Sequence, residues 1–213
     1  MKLIAHRGYT REGIKENTML AFQNAFQNGF TGIEFDVRVT KDNRLVVCHD
    51  AFIDRVSSGR GLISSYTYEE LLKFNFGSEV NPSKIVLCSD VLKSFKGIKV
   101  VELKTRVDLS EIFDFIDDNT YFISFDTSYI FKMKRMYPQF KFGLLNYVLN
   151  SPDIYNLDLI CLLDLVVSDT LIKYFMKKNI AIFIYSIKDK PKITNDEMFY
   201  IVDKNINLVN EVK

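Results

Sequence analysis

Short apolar runs alternate with amphipathic stretches along all 213 residues. The apolar run at 3–5 predicts a first strand. Asn17 and Thr18 then cap a stretch in which Met19, Phe22 and Phe26 share one helical face, and the pattern ends near Gly29. A second strand is predicted at 32–40, and a short apolar run at 45–48 closes on His49 and Asp50. A looser region follows, with a loop at 57–61, a short helix at 68–74 and a further loop through Pro82. Another strand is expected at 99–104.

The second half repeats the alternation more regularly. Helices at 109–116, 129–137, 153–157, 171–178 and 196–203 precede strands at 121–125, 140–145, 163–167, 180–187 and 206–209. Strands alternating with helices predict βα units and a parallel sheet. The count, close to eight, favours an α/β fold closed as a TIM (β/α)8 barrel over an open doubly wound sheet. The length is near the lower limit for such a barrel, roughly 200 residues. No linker divides the chain, so one domain over 1–213 is expected.

Composition changes this picture little. Hydrophobic residues at 47% and charged residues at 26% are the balance of an ordinary globular protein. A net charge of +1, with lysines dispersed, argues against a nucleic-acid partner. The opening apolar run meets His6 and Arg7 too early for a signal peptide or a membrane span, so no stable membrane insertion is expected. Cys48, Cys88 and Cys161 are odd in number and widely spaced, which suits reduced thiols in a cytoplasmic protein.

Candidate chemistry gathers at the predicted C-terminal strand ends, the rim that carries active sites in parallel barrels. The chain has two histidines, His6 and His49, and each falls at such an end beside charged residues. In the strand Gly32-Ile33-Glu34-Phe35-Asp36-Val37, side chains alternate between faces. With Ile33, Phe35 and Val37 turned to the helices, Glu34 and Asp36 point into the barrel. The stretch Val100-Val101-Glu102-Leu103-Lys104 repeats the pattern and turns Glu102 and Lys104 inward. Buried carboxylates are costly unless neutralised, and a hard divalent cation with oxygen ligands is the natural counter-charge. A buried Glu-Lys ion pair without a ligand is the structural alternative for the second stretch. Arg7 and Lys104 suit a phosphate oxyanion, and two imidazoles suit acid-base work near neutral pH.

In order along the chain, His6-Arg7-Gly8, Glu16-Asn17-Thr18, Glu34-x-Asp36, His49-Asp50 and Glu102-Leu103-Lys104 resemble the signature of the glycerophosphodiester phosphodiesterases. Asp54-Arg55, Gly59 and the stretch at 67–71 are similar to that family as well. The resemblance is close over the first half and rests on the alternation of elements in the second. It implies a TIM barrel with a short insertion after the second strand, at about 50–97, lying over the barrel mouth. It implies Glu34, Asp36 and Glu102 as ligands of one divalent cation, Ca2+ or Mg2+, and His6 and His49 as the acid-base pair. Arg7, Asn17 and Lys104 would contact the phosphate of a glycerophosphodiester. Tyr185, where the family often carries a Trp-containing strand, would contact substrate.

Two further departures are visible. Lys15 stands where the family usually has proline, and Asn210-Glu211-Val212 replaces the usual Thr-Asp-x-Pro near the last strand. No final helix follows, so imperfect closure, or a second copy of the chain covering that edge as a homo-oligomer, is expected. Three rival readings share the pattern: a lysophospholipase D, a phosphatidylinositol phospholipase C-like enzyme, and a non-catalytic phosphate-binding barrel.

Overall fold

The computed structural model describes residues 1–11, 13–146, 156–188 and 190–203. The chain begins with β1 (Lys2–His6), α1 (Met19–Gln27) and β2 (Gly32–Val39). β3 (Leu45–Val47) turns back antiparallel on β2, and after α2 (Tyr68–Leu71) the short β4 (Val86–Leu87) pairs antiparallel with β3. α3 (Cys88–Ser94) leads to β5 (Ile98–Leu103), which pairs parallel with β2. Then come β6 (Thr120–Ser124), α4 (Thr127–Met136), β7 (Lys141–Asn146), β8 (Leu159–Leu163), α5 (Asp169–Lys177), β9 (Ala181–Tyr185) and β10 (Phe199–Val202).

β10 pairs parallel with β1, from Lys2 opposite Phe199 to Ala5 opposite Val202, and β1 also pairs with β2. The ring β1-β2-β5-β6-β7-β8-β9-β10 is therefore closed, eight parallel strands with the β3–β4 hairpin attached outside it. This is the TIM barrel expected from the alternation of elements. The expectation of imperfect closure is corrected, because β10 supplies the last strand.

Period-two alternation builds two apolar layers. Ile33, Phe35, Val37, Val101 and Leu103 turn outward and pack with Phe22 of α1, Val91 of α3 and Ile130 of α4. Ile4, Val100, Ile123, Cys161, Phe183 and Phe199 fill the barrel interior. Phe183 and Phe199 stack there with ring centroids 4.3 Å apart. Burial of each such side chain contributes about 1.5–3 kcal/mol. A third cluster, with Val46, Ile53, Ile63, Leu71, Phe76 and Ile85, anchors the segment at 50–85. Side-chain caps from Thr18, Asp126 and Ser168 start α1, α4 and α5. A cap of this kind contributes about 1 kcal/mol.

Several elements differ from the sequence-based expectation. The strand expected at 163–167 is β8, four residues earlier. Its continuous run Leu-Ile-Cys-Leu-Leu is the pattern of a strand buried on both faces, and Asp164–Val166 is a 3-10 turn. The helix expected at 196–203 is strand β10, where Phe-Tyr-Ile-Val is claimed by pairing with both β1 and β9. The stretch expected as a helix at 109–116 is 3-10 over Ser110–Phe115, and α3 was not anticipated. The strand expected at 206–209, residues 153–155 of another helix, and Asn210-Glu211-Val212 lie outside the described residues. All three cysteines are free and buried, and burial pushes the Cys48 thiol up to about 12. Among the described residues no helix is long and apolar enough to cross a membrane.

Candidate active site

Strand register creates the site. In the β1–β2 pair His6 lies opposite Glu34, and in the β2–β5 pair Asp36 lies opposite Glu102. Because Glu34 and Asp36 alternate onto the same face of β2, the three carboxylates converge, with one oxygen of each within 4.8 Å of the others. Their exposures are 2%, 0% and 6%. Three negative groups this deep require counter-charge.

Two cations supply part of it. Lys104, directly after β5, donates from Nζ to Glu102 Oε1 at 2.7 Å and lies 3.2 Å from Asp36 Oδ1. Arg7, directly after β1, brings Nε to 3.3 Å from Asp36 Oδ2, and its backbone N–H donates to Glu34 Oε2 at 3.1 Å. Arg7 achieves this in the left-handed region, at φ 56°. The neighbouring Gly8, at φ 82°, permits the turn, since a Cβ there would lie 2.7 Å from that of Ala21. Asn17, also at φ 56°, donates from Nδ2 to Asp36 Oδ2 at 2.9 Å, and its Oδ1 accepts from the Asp36 backbone N–H at 3.4 Å. Left-handed non-glycine residues concentrate where surrounding structure over-determines them, commonly at functional sites.

The carboxylates respond differently to these neighbours. Burial opposes ionisation of Asp36, but Lys104, Arg7 and the Asn17 hydrogen bond outweigh it and hold the pKa below the ordinary value. Glu34 is pushed up by burial and by the charge of Asp36, and Glu102 is raised for the same two reasons. Three carboxylates share Arg7, Lys104 and the adjacent His6 imidazole, and without a further cation burial and mutual repulsion favour a proton on Glu34. Asp36 Oδ1 is moreover buried, with no hydrogen-bond partner beyond its ion pair with Lys104. An all-oxygen donor set of three converging buried carboxylates, one oxygen of which makes no hydrogen bond, fits a hard divalent cation.

Each histidine is braced by a carboxylate. His6 Nδ1 lies 2.6 Å from Asp203 Oδ1, and His49 Nδ1 lies 2.6 Å from Asp50 Oδ1. An ionised carboxylate only accepts, so each Nδ1 carries the proton and Nε2 is left for chemistry. The Nε2 of His6 is 3.8 Å from Glu34 Oε2. Burial lowers the His6 pKa, but the hydrogen bond to Asp203 and the charge of Glu34 outweigh it and raise it to about 9. His49 follows the antiparallel β3, not a barrel strand as expected, and its carbonyl accepts from Arg38 Nε of β2 at 2.7 Å. The antiparallel return of β3 brings it to the same mouth.

A cavity of about 200 Å³ opens at this mouth. His6, Arg7, Glu34, His49, Glu102 and Lys104 form its polar side, and Ile123, Leu145, Ile201 and Tyr185 form the apolar side. Asp36 lies beneath the cavity, fully buried, and Asn17 borders a smaller adjoining one with His49. All nine candidate residues thus gather at one end of the barrel. Sequence reasoning missed Asp203, which is 197 positions from His6. It also missed the ion pairs of Arg55 with Asp50 and Glu16. Only the adjacency of Asp50 to His49 was a usable signal.

Residues 6–122 match the model of the glycerophosphoryl diester phosphodiesterase family. The chain belongs to that family. A glycerophosphodiester phosphodiesterase of Bacillus altitudinis is 43% identical over 96 residues, 43% of this chain and 39% of that protein. One from Caldanaerobacter subterraneus subsp. tengcongensis is 33% identical over 124 residues, 58% of this chain and 44% of that protein. The matched segments thus span less than half the length of these relatives. Among solved structures, a glycerophosphodiester phosphodiesterase from Agrobacterium tumefaciens superposes with a TM-score of 0.83 at 22% identity, covering 95% of this chain and 96% of that one. A phosphodiesterase from Oleispira antarctica, solved in complex with the product sn-glycerol-3-phosphate, gives 0.80 at 18% identity, covering 100% and 96%. At these identities the superpositions establish the shared barrel.

Proposed function

We propose that this protein is a metal-dependent phosphodiesterase that hydrolyses glycerophosphodiesters to glycerol 3-phosphate and an alcohol. The observation that carries this reading is the buried carboxylate triad, with Glu34 and Glu102 lining the same cavity as two histidines, each braced at Nδ1. The whole of residues 1–213 is read as one barrel unit, with the insertion expected at about 50–97 ending before α3, whose Val91 belongs to the outer layer of the barrel.

Glu34, Asp36 and Glu102 would hold one divalent cation, Ca2+ or Mg2+. Such a cation supplies Lewis-acid stabilisation of phosphate charge and lowers the pKa of a nearby hydroxyl. Arg7 presents its guanidinium to the phosphate oxygens, and Lys104 adds a second positive charge to the same wall of the cavity. Asn17 holds Asp36 in place through its side-chain amide. One histidine Nε2 takes the proton of the attacking hydroxyl, whether a substrate hydroxyl that leads through a cyclic phosphate or water. The other returns a proton to the departing alcohol oxygen. Tyr185 and the apolar wall close on the carbon skeleton. A cavity of about 200 Å³ with this polar lining suits the phosphate and glycerol end of a diester.

The test is release of glycerol 3-phosphate from a panel of glycerophosphodiesters, after EDTA and then with Ca2+ or Mg2+ restored. Turnover lost with EDTA and regained with metal is expected. Absence of turnover on every diester, in folded protein that binds metal, would transfer the reading to a phosphate-binding barrel. His6→Ala and His49→Ala are each expected to slow turnover by roughly 10²–10⁴-fold.

A further inference from the structure

We propose that Arg55, in the segment between β3 and β4, is a positioning residue that aligns both sides of the site at once, His49 through Asp50 and Arg7 through Glu16. This rests on the phosphodiesterase reading above.

The geometry is a chain of shared hydrogen bonds. Arg55 Nε donates to Asp50 Oδ2 at 2.6 Å, and its terminal nitrogen donates to Asp50 Oδ1 at 3.1 Å. Asp50 Oδ1 is also the oxygen that receives His49 Nδ1 at 2.6 Å. With both oxygens engaged in a bidentate pair, the Asp50 carboxylate is fixed in its plane, and so is the imidazole it holds. The same terminal nitrogen of Arg55 donates to Glu16 Oε1 at 2.7 Å, and that oxygen receives Arg7 from the other side at 3.3 Å. One guanidinium thus joins the loop after β1 to the loop after β3.

Arg55 is itself held in place by its surroundings. Ile53, two residues before it, is fully buried in the third apolar cluster. Asp54 accepts from the Gly61 backbone N–H at 2.8 Å, and the Val56 N–H donates to the Ile53 carbonyl at 3.2 Å. Seating of this segment is therefore transmitted to the two functional groups.

Stability does not account for the arrangement. The Arg55 side chain is 55% exposed, and exposed ion pairs contribute about 0–1 kcal/mol. A lysine, with one compact ammonium, cannot reproduce the fork that engages Asp50 twice and Glu16 once.

The experiment compares Arg55→Met, Arg55→Lys, Asp50→Asn and the Arg55→Met/Asp50→Asn double variant in the metal-loaded full chain. Arg55→Met is expected to lower kcat about 10–100-fold with Tm nearly unchanged, and Arg55→Lys is expected to restore little of it. The double variant is expected to lose clearly less than the product of the two single losses, since residues acting as a unit are not additive. In nitrogen-15 spectra His49 is expected to show the Nδ1–H tautomer in the wild-type protein and a mixture in Arg55→Met. Wild-type kcat in a folded Arg55→Met variant, additive losses in the double variant, or an unchanged His49 tautomer would each overturn the proposal. Should Arg55→Met fail to fold, Arg55→Lys decides, and wild-type kcat there would overturn it as well. A wild-type protein inactive on every diester would instead remove the phosphodiesterase reading, with the tautomer measurement still testing the alignment of His49.

Discussion

Asp203 stands to His6 as Asp50 stands to His49, yet the two braces differ in setting. His6 is partly buried against Glu34, while Asp203 is itself largely exposed. The His6 proton is kept by Asp203 and Glu34 against burial, which on its own would drive it off. Asp203→Asn removes the charge and the strong acceptor and leaves the burial in place. The His6 pKa should therefore fall well below its value of about 9, as followed by NMR titration of the ring protons in metal-free protein. A His6 titration unchanged in Asp203→Asn would show that Asp203 does not govern the ring.

At the scale of elements, the loop from β1 to α1 carries four contacts to the carboxylate triad in little length. Arg7 and Asn17 both adopt φ 56°, and Gly8 lies between β1 and α1 with no room for a side chain. Gly8→Ala would place a methyl group 2.7 Å from the Ala21 Cβ, at a φ of 82° that alanine rarely adopts. Gly29→Ala, at φ 84°, would meet the same backbone strain, but nothing lies within 4 Å of its Cβ. Left-handed strain and overpacking each cost about 1–3 kcal/mol, so Gly8→Ala should be the more destabilising of the two. Urea unfolding midpoints measure the difference. Gly8→Ala should also displace Arg7 and weaken inorganic phosphate binding, whereas Gly29→Ala should leave it intact.

For the whole molecule, the buried charges set how stability depends on pH. Glu34 has a folded pKa above its ordinary value, so the folded protein retains a proton that the unfolded chain has released. That contribution is present at low pH and is lost as pH rises above the ordinary carboxylate range. His6 acts in the same direction, with stability present below 6.5 and lost as pH rises through about 9. Asp36 acts oppositely, since its depressed pKa contributes stability that is lost as pH falls below the ordinary 3.8. Metal-free protein should therefore lose Tm on the alkaline side. Excess Mg2+ or Ca2+ should restore it progressively as pH rises, because the ion replaces the proton on the triad. Calorimetry with and without metal across this range tests it, and a metal-induced Tm gain that does not grow with pH would refute the coupling.

Much of this protein was determined locally. Period-two alternation in the stretches at 33–37 and 100–104 already sent Glu34, Asp36, Glu102 and Lys104 to the inner face, because neighbouring side chains on a strand must point to opposite sides. The repeated strand-helix pattern was enough to predict a parallel barrel. What only the tertiary structure decided was pairing across the chain. Residues 199–202 are a strand because closing the ring against β1 and β9 outweighs their local helical pattern. Asp203 reaches His6, and Arg55 joins Asp50 to Glu16, through contacts that no short-range spacing encodes. Periodicity records which face a side chain takes, but its partner depends on how distant strands and loops are brought together by burial of the common core.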